Sequence, residues 1–274
     1  MFEGRPLARP DEEIVDQGLA FDVGTVLRRR QVLQALGLGV TAFGLAACTP
    51  SPSGSVASGT STTSTDEIPE ETAGPYPADG SNGPDVLDKT GIVRSDIRSS
   101  FAGLTGTAGG VPMTLELTVR NLADGGQPFT GAAVYVWHCD REGRYSLYTD
   151  GASEQNYLRG VQLADASGTV RFTSVFPACY GGRWPHVHFE VYRNQAGITD
   201  AGQAIVTSQL ALPKNVCDTV YAQAGYEASV PTLSRVTLAG DMVFGNDDGV
   251  RQIATVTGDV STGYGVSLDV PVKP

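Results

Sequence analysis

Between residues 113 and 120 the chain alternates strictly, with Met113, Leu115, Leu117 and Val119 on one side and Thr114, Glu116, Thr118 and Arg120 on the other. Successive side chains of an extended chain point to opposite faces, so this pattern predicts a half-buried β-strand. Similar short runs recur over 132–139, 168–176, 186–193, 204–211, 234–238 and 253–256. Turn-forming clusters separate them, among them Asp124-Gly125-Gly126, Asp150-Gly151, Ser167-Gly168, Gly181-Gly182 and Asn246-Asp247-Asp248-Gly249. One helix is expected over 213–224, where Val216, Val220 and Ala224 share a stripe before Gly225 stops it. Many short strands punctuated this way predict an all-β sandwich or barrel, with no internal repeat and no second domain.

The run 186–193 carries the strongest chemical signal. Val187, Phe189 and Val191 supply an apolar face, while His186, His188, Glu190 and Tyr192 point the other way. Strand rise puts the two imidazoles roughly 7 Å apart at Cα, close enough to share one metal ion. Taken alone, the pair fits ordinary surface histidines equally well. Its setting adds weight, because Arg183 and Trp184 precede it after two glycines, a cation and a large aromatic suited to an anionic or aromatic ligand. The third histidine, His138, follows Trp137 in a strand-like run and reads as a packed, hydrogen-bonded residue. No Cys or carboxylate stands at short zinc-ligand spacing, and there is neither an HExxH helix nor a GxSxG elbow. Ten tyrosines are present, and spacing alone promotes none of them to a ligand.

At the N-terminus, Arg29-Arg30-Gln31-Val32-Leu33 reads as a twin-arginine motif leading into an apolar, glycine-interrupted segment over 32–47. That segment is too short for a comfortable membrane span. Leu45-Ala46-Ala47-Cys48 is similar to a lipobox and makes Cys48 the candidate lipidation site, the alternative being a soluble secretory signal in which Cys48 is incidental. Residues 1–47 are therefore expected as an export signal, and 48–70, rich in Ser, Thr, Gly and Pro, as a disordered tether before a folded domain over 71–274. The protein is expected outside the cytoplasm, held by an N-terminal lipid anchor at the outer face of the cytoplasmic membrane or secreted. In that compartment Cys139, Cys179 and Cys217 allow one disulfide. Sequence does not fix the pairing; Cys139 lies in an apolar run that suits a buried thiol, which leaves Cys179 with Cys217 as the expected pair. A net charge of −11, with no basic cluster beyond the N-terminus, argues against a nucleic-acid partner.

Four sets of strings, in order along the chain, go further. Glu71-Thr72-Ala73-Gly74-Pro75-Tyr76 comes first. Gly131-Ala132-Ala133-Val134-Tyr135-Val136-Trp137-His138-Cys139-Asp140 follows, with Gly143-Arg144-Tyr145-Ser146 behind it. Leu158-Arg159-Gly160-Val161-Gln162 precedes Asp165-Ala166-Ser167-Gly168, and Phe176-Pro177-Ala178-Cys179-Tyr180 leads into Arg183-Trp184-Pro185-His186-Val187-His188. Together, over about 71–212, these resemble the motif blocks of the intradiol ring-cleavage dioxygenases, the catechol and protocatechuate dioxygenase-like family.

The resemblance implies a β-sandwich of mostly antiparallel strands with one short helix, and a non-haem Fe(III) ion held by two tyrosinates and two histidines. Carried onto this chain, the metal ligands are Tyr145, Tyr180, His186 and His188. Such a set is chemically coherent, since a hard trivalent cation holds a phenol ionised well below its free pKa of about 10. The resemblance also implies a catecholic substrate with O2, and insertion of oxygen between the two hydroxyl-bearing carbons to give a muconate-type dicarboxylic acid. In that scheme Tyr180 is the ligand that substrate displaces and that accepts a proton, Arg183 stabilises negative charge developing on the ring, and Gln209 stands beside the substrate. Tyr76 and Trp184 are candidates for the pocket wall.

Two other classes remain: a non-catalytic exported β-sandwich module for binding or adhesion, and a hydrolase using another metal at the histidine pair. Family members that dimerise through an N-terminal helical domain have a segment that signal and tether replace here, so oligomeric state does not carry over. Only residues 181–185 separate Tyr180 from His186, which leaves little chain to roof the site and predicts a shallow, open pocket for substituted or bulky catechols.

Overall fold

The computed structural model describes residues 66–274; the expected signal, Cys48 and most of the expected tether lie outside the described residues. Two sheets form among them. One contains β1 (Pro112–Asn121), β2 (Gln127–Pro128), β5 (Thr169–Val175), β8 (Thr255–Asp259) and β9 (Gly263–Val272). The other runs in the order β4 (Arg159–Leu163), β3 (Ala133–Trp137), β6 (His186–Tyr192), β7 (Ala204–Ala211). All pairings are antiparallel except β1 with β9, so the expected sandwich of mostly antiparallel strands is the one that forms.

Met113, Leu115, Leu117 and Val119 of β1 meet Val134 and Val136 of β3 and Val187, Phe189 and Val191 of β6 in one core. Apolar area removed from water there supplies the main driving force for the two sheets to pack. The outer face of β3 and β6 is buried as well. A strap over 68–79 lies across it: the Glu71 amide donates to the Thr207 carbonyl at 2.7 Å, Ser208 Oγ to Pro69 O at 2.6 Å, and Tyr135 Oη to Pro77 O at 2.7 Å. The fold therefore starts earlier than expected. Ile68 is 2% exposed and sits in the main core, so residues 68–70 belong to the domain rather than to the tether.

Other expectations change in detail. Helix α1 (Lys214–Tyr221) falls inside the expected span, but a second short helix, α2 (Ser229–Leu233), follows it. Residues 234–238 form a turn and loop after α2 instead of a strand; Val236 and Leu238 pack against the core without any partner strand. Strand β9 was not expected, although Tyr264, Val266, Leu268, Val270 and Val272 alternate along it, because Gly263, Gly265 and Pro271 dilute the signal. The Cys179–Cys217 disulfide is also corrected. Cys139, Cys179 and Cys217 are all buried free thiols, each facing a backbone carbonyl, of Ala178, Arg183 and Leu212 respectively.

His138 is a packed core residue. Its Nδ1 lies 2.8 Å from the Cys139 carbonyl, so Nδ1 carries the proton and Nε2 accepts from Ser174 Oγ at 2.7 Å. Burial pushes its pKa down to about 4. A folded pKa below the unfolded value means stability is complete above the ordinary range near 6.5 and is lost as pH falls towards 4. Urea midpoints at pH 7 and pH 4.5 should therefore show His138→Gln, which cannot titrate, losing about 2 to 3 kcal/mol less than wild type over that interval.

Candidate metal centre

Strand register builds the floor of the site. Trp137 pairs with Arg159 on one side and His188 on the other, and His188 pairs with Gln209, so four strands contribute one row: Arg159, Trp137, His188, Gln209. The Trp137 ring stacks on His188 at 4.9 Å and 8°. On its other side His188 meets the strap at Gly74, whose φ is +70° and where an added Cβ would lie 3.3 Å from His188 Cε1. Only glycine satisfies both the backbone conformation and the close approach. One turn of alternation away, His186 donates from Nδ1 to the Trp184 carbonyl, which leaves the Nε2 lone pair turned into the site.

Two loops bring the tyrosines. Buried Asp140 organises the first by accepting from the Glu142 and Arg144 amides, from Arg144 Nε and from Tyr157 Oη. Tyr145 follows, its amide donating to Thr149 Oγ1 at 3.1 Å. Buried Arg159 locks this loop to the strap: its five N–H groups reach Ser146 Oγ and O, Tyr76 O, Pro77 O and Tyr135 Oη at 2.9 to 3.0 Å. Tyr180 ends the second loop, just before exposed Gly181 and Gly182. It is half-buried, whereas Tyr145, His186 and His188 are each no more than 2% exposed.

The four predicted ligands come together. Tyr145 Oη lies 3.3 Å from Tyr180 Oη, 3.4 Å from His186 Nε2 and 3.2 Å from His188 Nε2. Tyr180 Oη is 3.1 Å from His186 Nε2, and the two imidazole Nε2 atoms are 3.0 Å apart. Ligands about 2.0 Å from one tetrahedrally coordinated ion sit about 3.3 Å from each other, so the spacing fits a single metal ion. Among the described residues no group of three or more His, Cys, Asp or Glu is placed to hold a metal, so the tyrosines are what complete a donor set at the histidine pair.

Electrostatics point the same way. Burial raises the Tyr145 phenol well above its ordinary value and Tyr180 to about 12, and lowers His186 to about 3 and His188 well below its usual range. With no cation the pocket encloses neutral phenols and neutral imidazoles. The imidazoles are thus in the form that ligates, and a hard cation between the phenols would reverse their preference and hold them as anions. Ferric iron, with its affinity for phenolate oxygen, suits the two oxygens and two nitrogens present.

Beside the four lie Arg183 and Gln209. Arg183 Nη2 donates to Gln209 Oε1 at 2.7 Å, and Gln209 Nε2 donates to the Thr72 carbonyl at 2.8 Å, so the pair is tied back to the strap. Tyr76 also belongs here, its ring 4.9 Å from that of Tyr145. Trp184 does not. It is part of the main core, with Nε1 donating to Leu212 O at 2.9 Å, because the chain turns its ring inward just before β6 begins. Sequence reasoning missed three supporting residues: Gly74, Arg159 and Asp241. The first two stand inside quoted motifs without any sign of their contacts; Asp241 follows a stretch misread as strand.

Comparisons with known proteins point in one direction. A family model described as Dioxygenase matches residues 82–196. A catechol 1,2-dioxygenase of Pseudomonas sp. (strain EST1001) is 40% identical over 72 residues, 26% of this chain and 23% of that protein. A chlorocatechol 1,2-dioxygenase of Rhodococcus opacus is 36% identical over 55 residues, 20% of this chain and 21% of that protein. The match thus spans less than a quarter of either relative's length. The solved structure of an intradiol ring-cleavage dioxygenase from Tetranychus urticae superposes with a TM-score of 0.59 over 76% of this chain and 95% of that one, at 22% identity, and shares the fold. These matches indicate the intradiol ring-cleavage dioxygenase family over the part of the chain that they cover.

Proposed function

We propose that this chain is an exported non-haem Fe(III) intradiol dioxygenase that opens the ring of a catecholic aromatic between its two hydroxyl-bearing carbons to give a muconate-type dicarboxylic acid. The convergence of two phenol oxygens and two imidazole nitrogens, five of whose six pairs lie 3.0 to 3.4 Å apart, carries the reading. Tyr145, Tyr180, His186 and His188 would hold the ion. Its contribution when bound is Lewis acidity that orients both catechol oxygens and primes the ring for O2. The protein does the rest. His186 and His188 are fixed by the Trp184 carbonyl and the Trp137 ring, and Tyr145 is enclosed beneath Tyr76. Tyr180, half-buried and followed by two exposed glycines, is the phenol free to turn aside and take a substrate proton. Arg183 contributes a fixed positive charge next to the reacting ring.

Purified protein should contain iron and absorb visible light through tyrosinate bound to Fe(III), and Tyr145→Phe should weaken or shift that band. Oxygen uptake with catechol should fall by about a hundredfold or more in Tyr180→Phe, the usual scale for losing a proton-transfer group. A colourless, iron-free wild type without uptake would leave the binding-module reading standing, and a colourless protein unaffected by Tyr145→Phe would favour a different metal.

The link over 181–185 is exposed at Gly181 and Gly182, with nothing within 4 Å of the Cβ position of either, in keeping with a shallow mouth. Rates on catechol and on lignin-type or polyphenolic catechols should therefore fall within about tenfold of each other, a loss no larger than about 1.4 kcal/mol in transition-state binding. Turnover of the smallest substrate alone would contradict that.

Export rests on the Arg29-Arg30 motif and the apolar segment after it, with Cys48 as the lipid anchor. Cell fractionation should find wild type with membranes and Cys48→Ala released in soluble form outside the cytoplasm, while Arg29→Lys with Arg30→Lys should stay in the cytoplasm.

A further inference from the structure

We propose that Asp241 is the positioning residue that orients Arg183 towards the substrate, an inference that rests on the dioxygenase reading above. Asp241 lies between α2 and β8, beyond the residues matched by the family model. Its side chain is fully buried, and three backbone amides fix its carboxylate: Trp184 N reaches Oδ2 at 2.6 Å, while Val243 N and Phe244 N reach Oδ1 at 2.8 and 3.2 Å. Onto this immobile anion Arg183 docks with Nε at 3.0 Å from Oδ2 and Nη2 at 3.4 Å from Oδ1.

Two consequences follow from the fork geometry of a guanidinium. Asp241 grips the Nε/Nη2 edge, and Gln209 accepts from the same Nη2, so rotation about the last side-chain bonds is blocked. Nη1 makes no hydrogen bond among the described residues, which leaves it as the edge available to a bound ligand. The ion pair also makes burial of the Arg183 charge tolerable, since the side chain is only 11% exposed and an unpaired cation there would be costly. Finally, Asp241 connects Arg183 to the ligand shell through its own loop: it holds the Phe244 amide, and the Phe244 ring lies 6.5 Å from the ring of His186.

A purely structural Asp241 would cap its loop, with Arg183 merely neutralising it. The two roles separate in a double-mutant cycle on the iron-loaded protein with catechol. Asp241→Asn should lower kcat/KM by about ten- to a hundredfold, chiefly in kcat, the scale expected when a catalytic group is misplaced by about an ångström. Iron content and the visible band should be unchanged, and Asp241→Glu, which keeps the charge one methylene further out, should recover part of the loss. In an Arg183→Met background Asp241→Asn should cost less than about twofold. An equal factor in both backgrounds, or loss of the visible band in step with activity, would overturn the proposal. A crystal structure of Asp241→Asn gives a readout independent of turnover: Arg183 should leave Gln209, and an unmoved guanidinium would also overturn it. An inactive, iron-free wild type would instead count against the dioxygenase reading, with the position of Arg183 in the variant still deciding this one.

Discussion

Everything at the site hangs on the register of β6 between β3 and β7. Side chains in a strand repeat every two residues, so a slip of one would send His186 and His188 into the core and Val187, Phe189 and Val191 out to the strap. The core residues on the inner face make that slip very unfavourable, and the same register then aligns Arg159, Trp137, His188 and Gln209 across four strands. One apolar pattern thus fixes the location of one candidate metal ligand, the ring stacked behind it, and the polar groups at either end.

A polar outer face is normally left to water, and here it is covered. Burial of Arg159, Gln209 and Tyr135 would be costly without partners, and the carbonyls of Thr72, Tyr76 and Pro77 on the strap supply them. The strap is irregular because it follows the positions of those donors instead of a ladder, and Gly74 is the point where it must come closest to His188. Covering the face removes water from three of the four donor groups while leaving Tyr180 partly accessible, which separates a fixed part of the ligand set from a part able to move.

Much of this was legible in the chain. Alternation in β1 and β6 and the HxH pair were readable from period alone, because a strand with one apolar face leaves little freedom in how it folds. The tyrosine partners were not. Tyr145 and Tyr180 sit on loops 41 and 6 residues from His186, and nothing in spacing says that loops converge; the resemblance to a family supplied them. Pairing of Cys179 with Cys217 failed for a related reason, since each is a buried free thiol facing a backbone carbonyl and composition records only that an oxidised pair is allowed. Trp184 was misassigned because a residue just outside a strand does not obey the alternation of that strand. Asp241 and Arg159 are held partly by contacts with backbone atoms, and such contacts leave no signature in residue type.

The two buried arginines bear on the ligand set differently, and together they explain why its protonation state is suited to a cation. Arg183 is paired with Asp241: burial pushes that carboxyl up, but the guanidinium and the backbone amides outweigh it and hold it below the usual range. Arg159 donates its hydrogen bonds to neutral oxygens, of Ser146, Tyr76, Pro77 and Tyr135, and not to a carboxylate. After burial itself, the Arg183 charge lowers the affinity of His186 for a proton; for His188 the neighbouring His186 comes next after burial, and both arginines add to it. Arg183 also draws the phenols of Tyr145 and Tyr180 back towards ionisation against the larger effect of burial. Each influence on protonation has the same sign: imidazoles stay deprotonated at Nε2, and phenolates become easier to form. Replacing Arg159 by an isosteric neutral group would remove its contribution at His188 as well as the strap's anchor, so the candidate ligand set depends on residues that are not themselves candidate ligands.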